Sequence, residues 1–166
     1  MAASIQALHI DPEKCTGCKQ CELACSWVQT GAFQPSRSLI RVHIFDEQAS
    51  FAPYTCVQCD EAWCMHACPT HAIDVDASTG AKIVMDDACV GCKLCVIACP
   101  FGTMFFDKKT EVAGKCDLCA GDPACAHACP TQAITVVTNQ PQDWLGAFGD
   151  KVDESYRTAT EAGETP

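Results

Sequence analysis

Short stretches in which apolar and polar residues alternate recur along the chain, and they predict β-strands. Three of them begin a few residues after a Cys-Pro pair, and their apolar positions are Ile73 and Val75, Met104 and Phe106, and Ile134 and Val136. Alternation of this kind is typical of a strand with one buried face. The turn-rich stretch "DASTGA" joins the first strand to "KIVM", and "DKKTEVAG" follows the second strand. Both stretches predict hairpins.

A further alternating stretch lies between the first two cysteine-rich segments. In "RSLIRVHIF", Ile40, Val42 and Ile44 alternate with Arg41 and His43. The spacing predicts one more strand, set in an insertion that is too short to form a domain.

The C-terminal segment 139–166 has a different pattern. Its apolar residues recur at helical spacing: Trp144, Leu145, Phe148, Val152 and Tyr156. A helix with such a stripe needs a surface to cover it. Two alternatives stay open, because the segment could fold back over its own chain or dock on another subunit or a second copy. We name it the C-terminal docking tail.

Composition narrows the class of protein. The 166-residue chain contains 16 cysteines, a density typical of a disulfide scaffold or a metal protein. The N-terminus lacks the basic and apolar regions of a signal peptide, and no stretch of about 18 apolar residues is present. We therefore expect no membrane span and a cytoplasmic location, where disulfides rarely persist. A net charge of −10 and a pI near 4.7 disfavour nucleic acid as a partner and favour basic protein surfaces.

The cysteines fall into four runs with none left over. The runs are Cys15, Cys18, Cys21 and Cys25; Cys56, Cys59, Cys64 and Cys68; Cys89, Cys92, Cys95 and Cys99; and Cys116, Cys119, Cys125 and Cys129. Each run ends with a gap of three residues before its fourth cysteine. Proline follows that cysteine in three runs, and Ser26 takes its place in the first. The second and fourth runs widen the gap before their third cysteine to four and five residues.

The third run, "CVGCKLCVIACP", has the spacing of a bacterial ferredoxin. Three cysteines at two-residue gaps let a tight loop wrap three corners of a [4Fe–4S] cube, with backbone N–H groups directed at the negatively charged cluster. The fourth cysteine lies about one helical turn further on and ligates a different cluster. The spacing therefore predicts iron–sulfur clusters. A zinc ribbon, which needs only two cysteine pairs, and a disulfide scaffold are the alternatives.

Four longer motifs carry a resemblance to a known family: "DPEKCTGCKQCELAC", "CVQCDEAWCMHACPTHAI", "CVGCKLCVIACPFG" and "GKCDLCAGDPACAHACPTQAI". They resemble the four-cluster ferredoxin subunits of molybdenum and tungsten oxidoreductases, formate-linked hydrogenases and carbon monoxide dehydrogenases. The resemblance implies an α+β fold of two nested bacterial-ferredoxin-like (βαββαβ) halves. It implies an outer half at 1–30 plus 114–138, an inserted strand with loops at 31–53, and an inner half at 54–113.

The resemblance also implies how the cysteines share four [4Fe–4S] clusters, because each fourth cysteine crosses to a partner run. We name the implied ligand sets the first quartet (Cys15, Cys18, Cys21, Cys129), the second quartet (Cys116, Cys119, Cys125, Cys25), the third quartet (Cys56, Cys59, Cys64, Cys99) and the fourth quartet (Cys89, Cys92, Cys95, Cys68). Some family members replace a cysteine of the third run and hold a [3Fe–4S] centre. Cys92 is present, so four [4Fe–4S] clusters are expected. The missing proline at Ser26 leaves the local turn open, but not the ligand.

Within this family, the chain is most similar to the ferredoxin-like subunit of tungsten-dependent aldehyde oxidoreductase, through "ELACSWVQTGAFQPSRSLIRV" and "FDKKTEVAGKCDLC". This implies a non-catalytic subunit that carries electrons from a tungsten–pterin catalytic subunit to a flavoprotein NAD-reducing subunit or a ferredoxin. The alternatives are the same role in a hydrogenase, formate or carbon monoxide dehydrogenase complex, a free-standing polyferredoxin, and a zinc-bound structural module. The sequence contains no nucleophile–base arrangement, phosphate loop or dinucleotide fingerprint.

Other residues near the runs have predicted roles as well. Eight apolar residues are expected to pack around the clusters and exclude water: Val57, Ile73, Leu94, Ile97, Phe101, Phe105, Leu118 and Ile134. His66 and His127 occupy equivalent places, which favours inheritance from a duplicated repeat over a role in pH-dependent cluster potentials. Lys19 and Lys93 are also equivalent, and they are expected to be solvated.

Overall fold

The computed structural model describes residues 6–138, apart from the side chain of Glu47. The strands in this range are β1 (Gln6–Ile10), β2 (Arg41–Phe45), β3 (Ser50–Tyr54), β4 (Ile73–Val75), β5 (Lys82–Val84), β6 (Phe105–Asp107), β7 (Val112–Gly114) and β8 (Ile134–Thr138). The α-helices are α1 (Gln20–Thr30), α2 (Trp63–His66), α3 (Leu94–Ala98) and α4 (Ala124–His127). The result is a small mixed α and β structure. The predicted helix in 139–166 lies outside the described residues.

The strands of residues 6–138 form four antiparallel pairs. The predicted hairpins β4–β5 and β6–β7 are confirmed, and so is the predicted strand β2, which pairs with β3. Strand β1 pairs with β8, with Gln6 opposite Thr138 and Ile10 opposite Ile134. This pairing brings the beginning and the end of the described chain together.

The helices bring the cysteine runs together in pairs. Helix α1 packs against α4, and α2 packs against α3. Each of these helices carries at least one cysteine, so the first run meets the fourth and the second run meets the third. No helix in residues 6–138 is long and apolar enough to cross a membrane.

Helix α1 is longer than the others because its run lacks the proline. It continues past Cys25 to Thr30, whereas the helices of the other three runs end before their Cys-Pro pair. A proline inside a helix removes a hydrogen bond and clashes with the preceding turn. Ser26 instead donates its hydroxyl to the carbonyl oxygen of Leu23 at 2.9 Å and accepts the N–H of Gln34 at 3.1 Å. The turn that the sequence left open is therefore a continued helix.

Most of the predicted apolar core is confirmed, and part of it is wrong. Four of the predicted residues are buried: Val57, Ile73, Leu118 and Ile134. Two are half-buried: Phe101 and Phe105. Leu94 and Ile97 are 45% and 80% exposed, so their prediction is wrong. On α3 the inward position belongs to Cys95, which is buried. Residues one or two positions apart on a helix do not share a face, so Leu94 and Ile97 lie on the outside.

Candidate metal centres

The first and third runs form tight loops that require glycine. Gly17 and Gly91 have φ values of 69° and 68°. A Cβ at Gly17 would lie 2.5 Å from the ring of Phe51, and one at Gly91 would lie 2.6 Å from the carbonyl oxygen of Glu111. The residue two positions later in each loop also has a positive φ. Turns of this kind gather backbone N–H groups on one concave side, which suits an anion.

The fourth cysteine of each run has a hydrogen-bond donor close to its sulfur. In three runs the sulfur lies near a threonine hydroxyl: Cys68 is 3.7 Å from Thr70, Cys99 is 3.5 Å from Thr103 and Cys129 is 3.7 Å from Thr131. Burial opposes ionisation of these thiols, but hydrogen bonds from the hydroxyls and from backbone N–H groups outweigh it and lower their pKa. In the first run, the sulfur of Cys25 accepts the N–H of Leu39 at 3.3 Å instead. The inserted segment 31–53 thus supplies a hydrogen-bond donor to the first run. In the other three runs, a threonine just after the Cys-Pro pair lies in that place.

The third quartet surrounds a cavity. All four of its cysteines line this cavity, together with apolar residues that include Val57, Phe101 and Met104. Burial raises the pKa of Cys59, and the nearby charges of the other three cysteines of the quartet raise it further. The structure therefore brings together cysteines from the second and third runs.

The fourth quartet surrounds a separate cavity. Its four cysteines line this cavity with Ile73, Val84 and Ala113. Burial raises the pKa of Cys95 to about 11, and the charges of the other three cysteines of the quartet contribute to the rise. The crossing cysteine, Cys68, comes from the second run.

Cysteines of the first and second quartets are also close to one another. Burial raises the pKa of Cys15, and the charges of Cys18 and Cys129 add to the effect. In the second quartet, burial raises the pKa of Cys125, and the charges of Cys116, Cys25 and Cys119 add to it. The crossing cysteine Cys25 lies near all three cysteines of the fourth run, and the crossing cysteine Cys129 lies near Cys15 of the first.

Contacts between quartets set them in a row. Cys125 of the second quartet is close enough to Cys21 of the first for their charges to interact. On the other side, Cys116 of the second quartet interacts with Cys56 of the third. The third and fourth quartets meet where α2 packs on α3. Neighbouring quartets are therefore connected in the order first, second, third and fourth.

Burial differs along this row. Cys18 in the first quartet and Cys92 in the fourth are exposed, whereas every cysteine of the second and third quartets is buried or half-buried. Burial raises the pKa of Cys116 to about 12. Metal loading requires thiolates, so it displaces protons from such buried thiols.

All sixteen cysteines are free thiols. Within residues 6–138, no three His, Cys, Asp or Glu side chains close on one metal-ion position.

Other predicted residues lie at the surface. Lys19 and Lys93 are exposed, as expected, and the ammonium of Lys93 lies 4.3 Å from the centroid of the Phe106 ring. His66 and His127 are exposed as well, and His127 lies 2.5 Å from a carboxylate oxygen of Asp122.

Sequence reasoning missed three buried polar residues near the quartets: Gln58, Lys82 and Lys115. Gln58 lies between two cysteines and Lys115 directly precedes one, so their proximity to a metal centre could have been read from the sequence. No local pattern marks Lys82, which lies in the short apolar strand β5 and reaches the third quartet only through the fold.

Two protein families match the chain. Residues 47–139 match a family described as "4Fe-4S dicluster domain", and residues 6–27 match a "4Fe-4S binding domain". The first match contains the second, third and fourth runs, and the second match contains the first run.

Three relatives show what kind of protein carries these domains. The aliphatic sulfonate oxidoreductase, polyferredoxin-like subunit, of Pyrococcus furiosus is 41% identical over 78% of this chain and 76% of that protein. Electron transport protein HydN of Escherichia coli is 34% identical over 82% of this chain and 90% of that protein. The NADH-dependent phenylglyoxylate dehydrogenase subunit beta of Aromatoleum evansii is 34% identical over 89% of this chain and 35% of that protein. The chain therefore belongs to the ferredoxin-like 4Fe-4S electron-transfer subunits of oxidoreductases.

Proposed function

We propose that the chain holds four [4Fe–4S] clusters, one in each quartet, and carries electrons along them between a catalytic oxidoreductase subunit and a second acceptor. One observation supports this proposal: cysteines from two different runs line one cavity at the third quartet and another at the fourth, and close approaches between cysteines connect these sets to the other two. The exposed cysteines, Cys18 and Cys92, belong to the two end quartets, where partners would exchange electrons with the row.

The residues present suit this cofactor. Sixteen free thiols provide four ligands for each of four clusters. Backbone N–H groups lie near several sulfurs, including Ala72 at 3.2 Å from Cys68 and Ala113 at 3.5 Å from Cys89. Such hydrogen bonds favour the thiolate. When bound, [4Fe–4S] clusters supply one-electron transfer at potentials set by charge, hydrogen bonding and exposure. The chain holds the ligands, donates the hydrogen bonds and excludes water.

Two nested βαββαβ halves form part of the proposal. The pairing of β1 with β8 and the contact of α1 with α4 support an outer half at 1–30 plus 114–138. The contact of α2 with α3 and the two hairpins β4–β5 and β6–β7 support an inner half at 54–113. The insertion 31–53 contains β2 and most of β3, and it serves the outer half through the bond from Leu39 to Cys25.

For the catalytic partner we propose a tungsten–pterin aldehyde oxidoreductase subunit, and the chain itself would have no catalytic role. This assignment rests on sequence resemblance alone. Relatives are named for a sulfonate oxidoreductase and a phenylglyoxylate dehydrogenase, so the same wiring role beside another catalytic subunit is the second candidate. The name of the phenylglyoxylate relative includes NADH dependence, which favours a flavoprotein NAD-reducing subunit as the second acceptor. We propose a cytoplasmic location, because reducing compartments preserve free thiols.

Elemental analysis of the tagged protein, purified without oxygen from its own host, tests this proposal. We expect about sixteen iron atoms per chain, four for each cluster, together with tungsten. Nickel or molybdenum in place of tungsten would keep the electron-transfer role and assign another catalytic subunit. Iron without a second metal would favour a free-standing polyferredoxin, and zinc in place of iron would overturn the cluster proposal.

Paired substitutions test the sharing of ligands between runs. Cys59→Ala with Cys99→Ala removes two ligands of the third quartet, although the residues belong to different runs. We expect a loss of about four iron atoms per chain. The matched control, Cys59→Ala with Cys68→Ala, changes two cysteines of one run that belong to different quartets, and we expect a loss of about eight. The reverse order of these losses would contradict the crossing.

A further inference from the structure

Two lysines are buried beside the third quartet. Lys82 and Lys115 are only 8% and 5% exposed. Both line the cavity that also contains all four cysteines of that quartet. Lysine is rarely buried to this extent unless its charge is paired.

A network of hydrogen bonds holds the two ammonium groups in place. The Nζ of Lys115 donates to Oε1 of Gln58 at 3.0 Å and to the carbonyl oxygen of Lys82 at 2.5 Å. The Nζ of Lys82 donates to the carbonyl oxygen of Gln58 at 3.2 Å. Gln58 is anchored in turn, because its Nε2 donates to the carbonyl oxygen of Cys116 at 2.6 Å. The positions of both charges are therefore fixed by Gln58, which lies between two cysteines of the second run, and by the backbone of β5.

The network contains neutral acceptors but no counter-charge. Ion pairs among residues 6–138 join Lys14 to Asp11, Arg37 to Asp107 and His127 to Asp122. Neither buried lysine pairs with a carboxylate in that part of the chain. An unpaired charge in a low-dielectric interior costs several kcal/mol or more. The cysteines of the third quartet line the same cavity as these lysines, and they become anionic only as metal ligands.

A loaded third quartet provides the missing counter-charge. Four thiolates around an oxidised core of about +2 carry roughly −2, and reduction by one electron makes this roughly −3. A fixed positive charge stabilises the reduced state more than the oxidised state, so it raises the reduction potential. Lys19 and Lys93 also lie next to cysteine ligands, but they are exposed, and water and salt screen their charges.

We propose that Lys82 and Lys115 are positioning residues that raise the reduction potential of the third-quartet cluster. This inference rests on the proposed function. An electron that arrives at the third site would be held more tightly than it would be without the two charges.

A redox titration followed by electron paramagnetic resonance tests the inference on the intact, iron-loaded protein. The variants are Lys82→Met and Lys115→Met, which remove the charge and keep a long apolar side chain. Lys14→Met is the matched control, because it removes one positive charge at an exposed ion pair. Cys59→Ser marks the reduction step of the third quartet, and Cys119→Ser marks that of the second.

We expect one step to move to lower potential in both lysine variants, and we expect it to be the step that Cys59→Ser alters. At the wild-type midpoint, the ratio of reduced to oxidised cluster should fall at least tenfold, which for one electron corresponds to about 59 mV. Lys82→Arg and Lys115→Arg should restore most of the potential, and Lys14→Met should leave the step that Cys59→Ser alters in place.

Other results would overturn the inference in distinct ways. Four unchanged steps in both methionine variants, with iron content intact, would show that the lysines do not tune a cluster. A shift confined to the step marked by Cys119→Ser would assign their charge to the second quartet. If the wild-type protein itself contained no iron–sulfur clusters, the proposed function would fail before the lysines were tested.

Discussion

The centre of the row of quartets and its two ends are built from the same repeat, yet they offer different environments. In the central second and third quartets, no cysteine is exposed, and two buried lysines accompany the third. In each end quartet one cysteine is exposed, and the lysine next to it is exposed too. Under the proposed function, clusters in the end quartets would be exposed enough to exchange electrons with partners, and clusters in the central quartets would be surrounded by protein.

The widened gaps in the second and fourth runs account for part of this difference. The second cysteine is half-buried in these runs, as Cys59 and Cys119, whereas the matching cysteines of the first and third runs are exposed. The added residues include Ala62 and Pro123, which are both buried and lie between the second and third cysteines. The longer gap thus accompanies lower solvent exposure of one cysteine in each central quartet.

Removal of iron should have the largest effect on both regions. The described chain has short helices and two-stranded sheets, and seven of the nineteen buried residues in its two core clusters are cysteines. Metal–ligand bonds supply much of the stability of such small structures. We expect anaerobic chelation to abolish the near-ultraviolet circular dichroism and the cooperative thermal transition. An iron-free chain with well-dispersed tertiary signals would contradict this.

Serine substitutions at one central and one end ligand should separate the two regions. Cys116→Ser alters a buried ligand of the second quartet, and Cys92→Ser alters an exposed ligand of the fourth. We expect Cys116→Ser to lose about four iron atoms per chain and to shorten the half-life of visible absorbance at fixed temperature severalfold. Water can complete the exposed site, so Cys92→Ser should keep most of its iron. Equal losses would show that exposure does not distinguish the sites.

A pair of glycine substitutions tests how tightly the backbone shapes an end loop. Gly91→Ala places a Cβ 2.6 Å from the backbone oxygen of Glu111, at a φ of 68°. Gly102→Ala is the matched control, since its φ is 63° and no atom lies within 4 Å of the added Cβ. Each alanine in a left-handed conformation costs about 1–2 kcal/mol, and Gly91→Ala adds the steric overlap. We expect a clearly lower melting temperature for Gly91→Ala than for Gly102→Ala, and equal values would contradict the close approach.

The sequence predicted what depends on local spacing. Strands after the Cys-Pro pairs and the two hairpins follow from alternation and turn residues, and the structure confirms them. Features that depend on packing between distant segments were not predicted. The donor that Leu39 provides to Cys25 depends on how segment 31–53 folds back, and the exposure of Ile97 depends on which face of a short helix the cysteine takes.

The buried lysines show the same limit for the candidate site. Lys82 lies in strand β5, far along the chain from the second run, and it meets Gln58 only in the folded structure. A lysine beside a cysteine ligand, such as Lys93, was easier to notice but remains exposed. Proximity in sequence thus identifies residues that lie near the cysteines. It does not tell a buried lysine such as Lys82 from an exposed lysine such as Lys93, because burial depends on the fold.

Charge removal at the exposed lysines should have the smallest effect and complete the comparison. We expect Lys19→Met and Lys93→Met to move the reduction steps of the end quartets much less than Lys82→Met moves that of the third, because solvent and salt screen exposed charges. Lys93→Met also loses its contact with the Phe106 ring, worth about 0.5–1 kcal/mol at an exposed site. The titration should be repeated at low and high salt, where a screened charge loses its small effect and a buried one keeps it. Equal shifts for exposed and buried lysines would mean that distance to the cluster, and not burial, controls the potential.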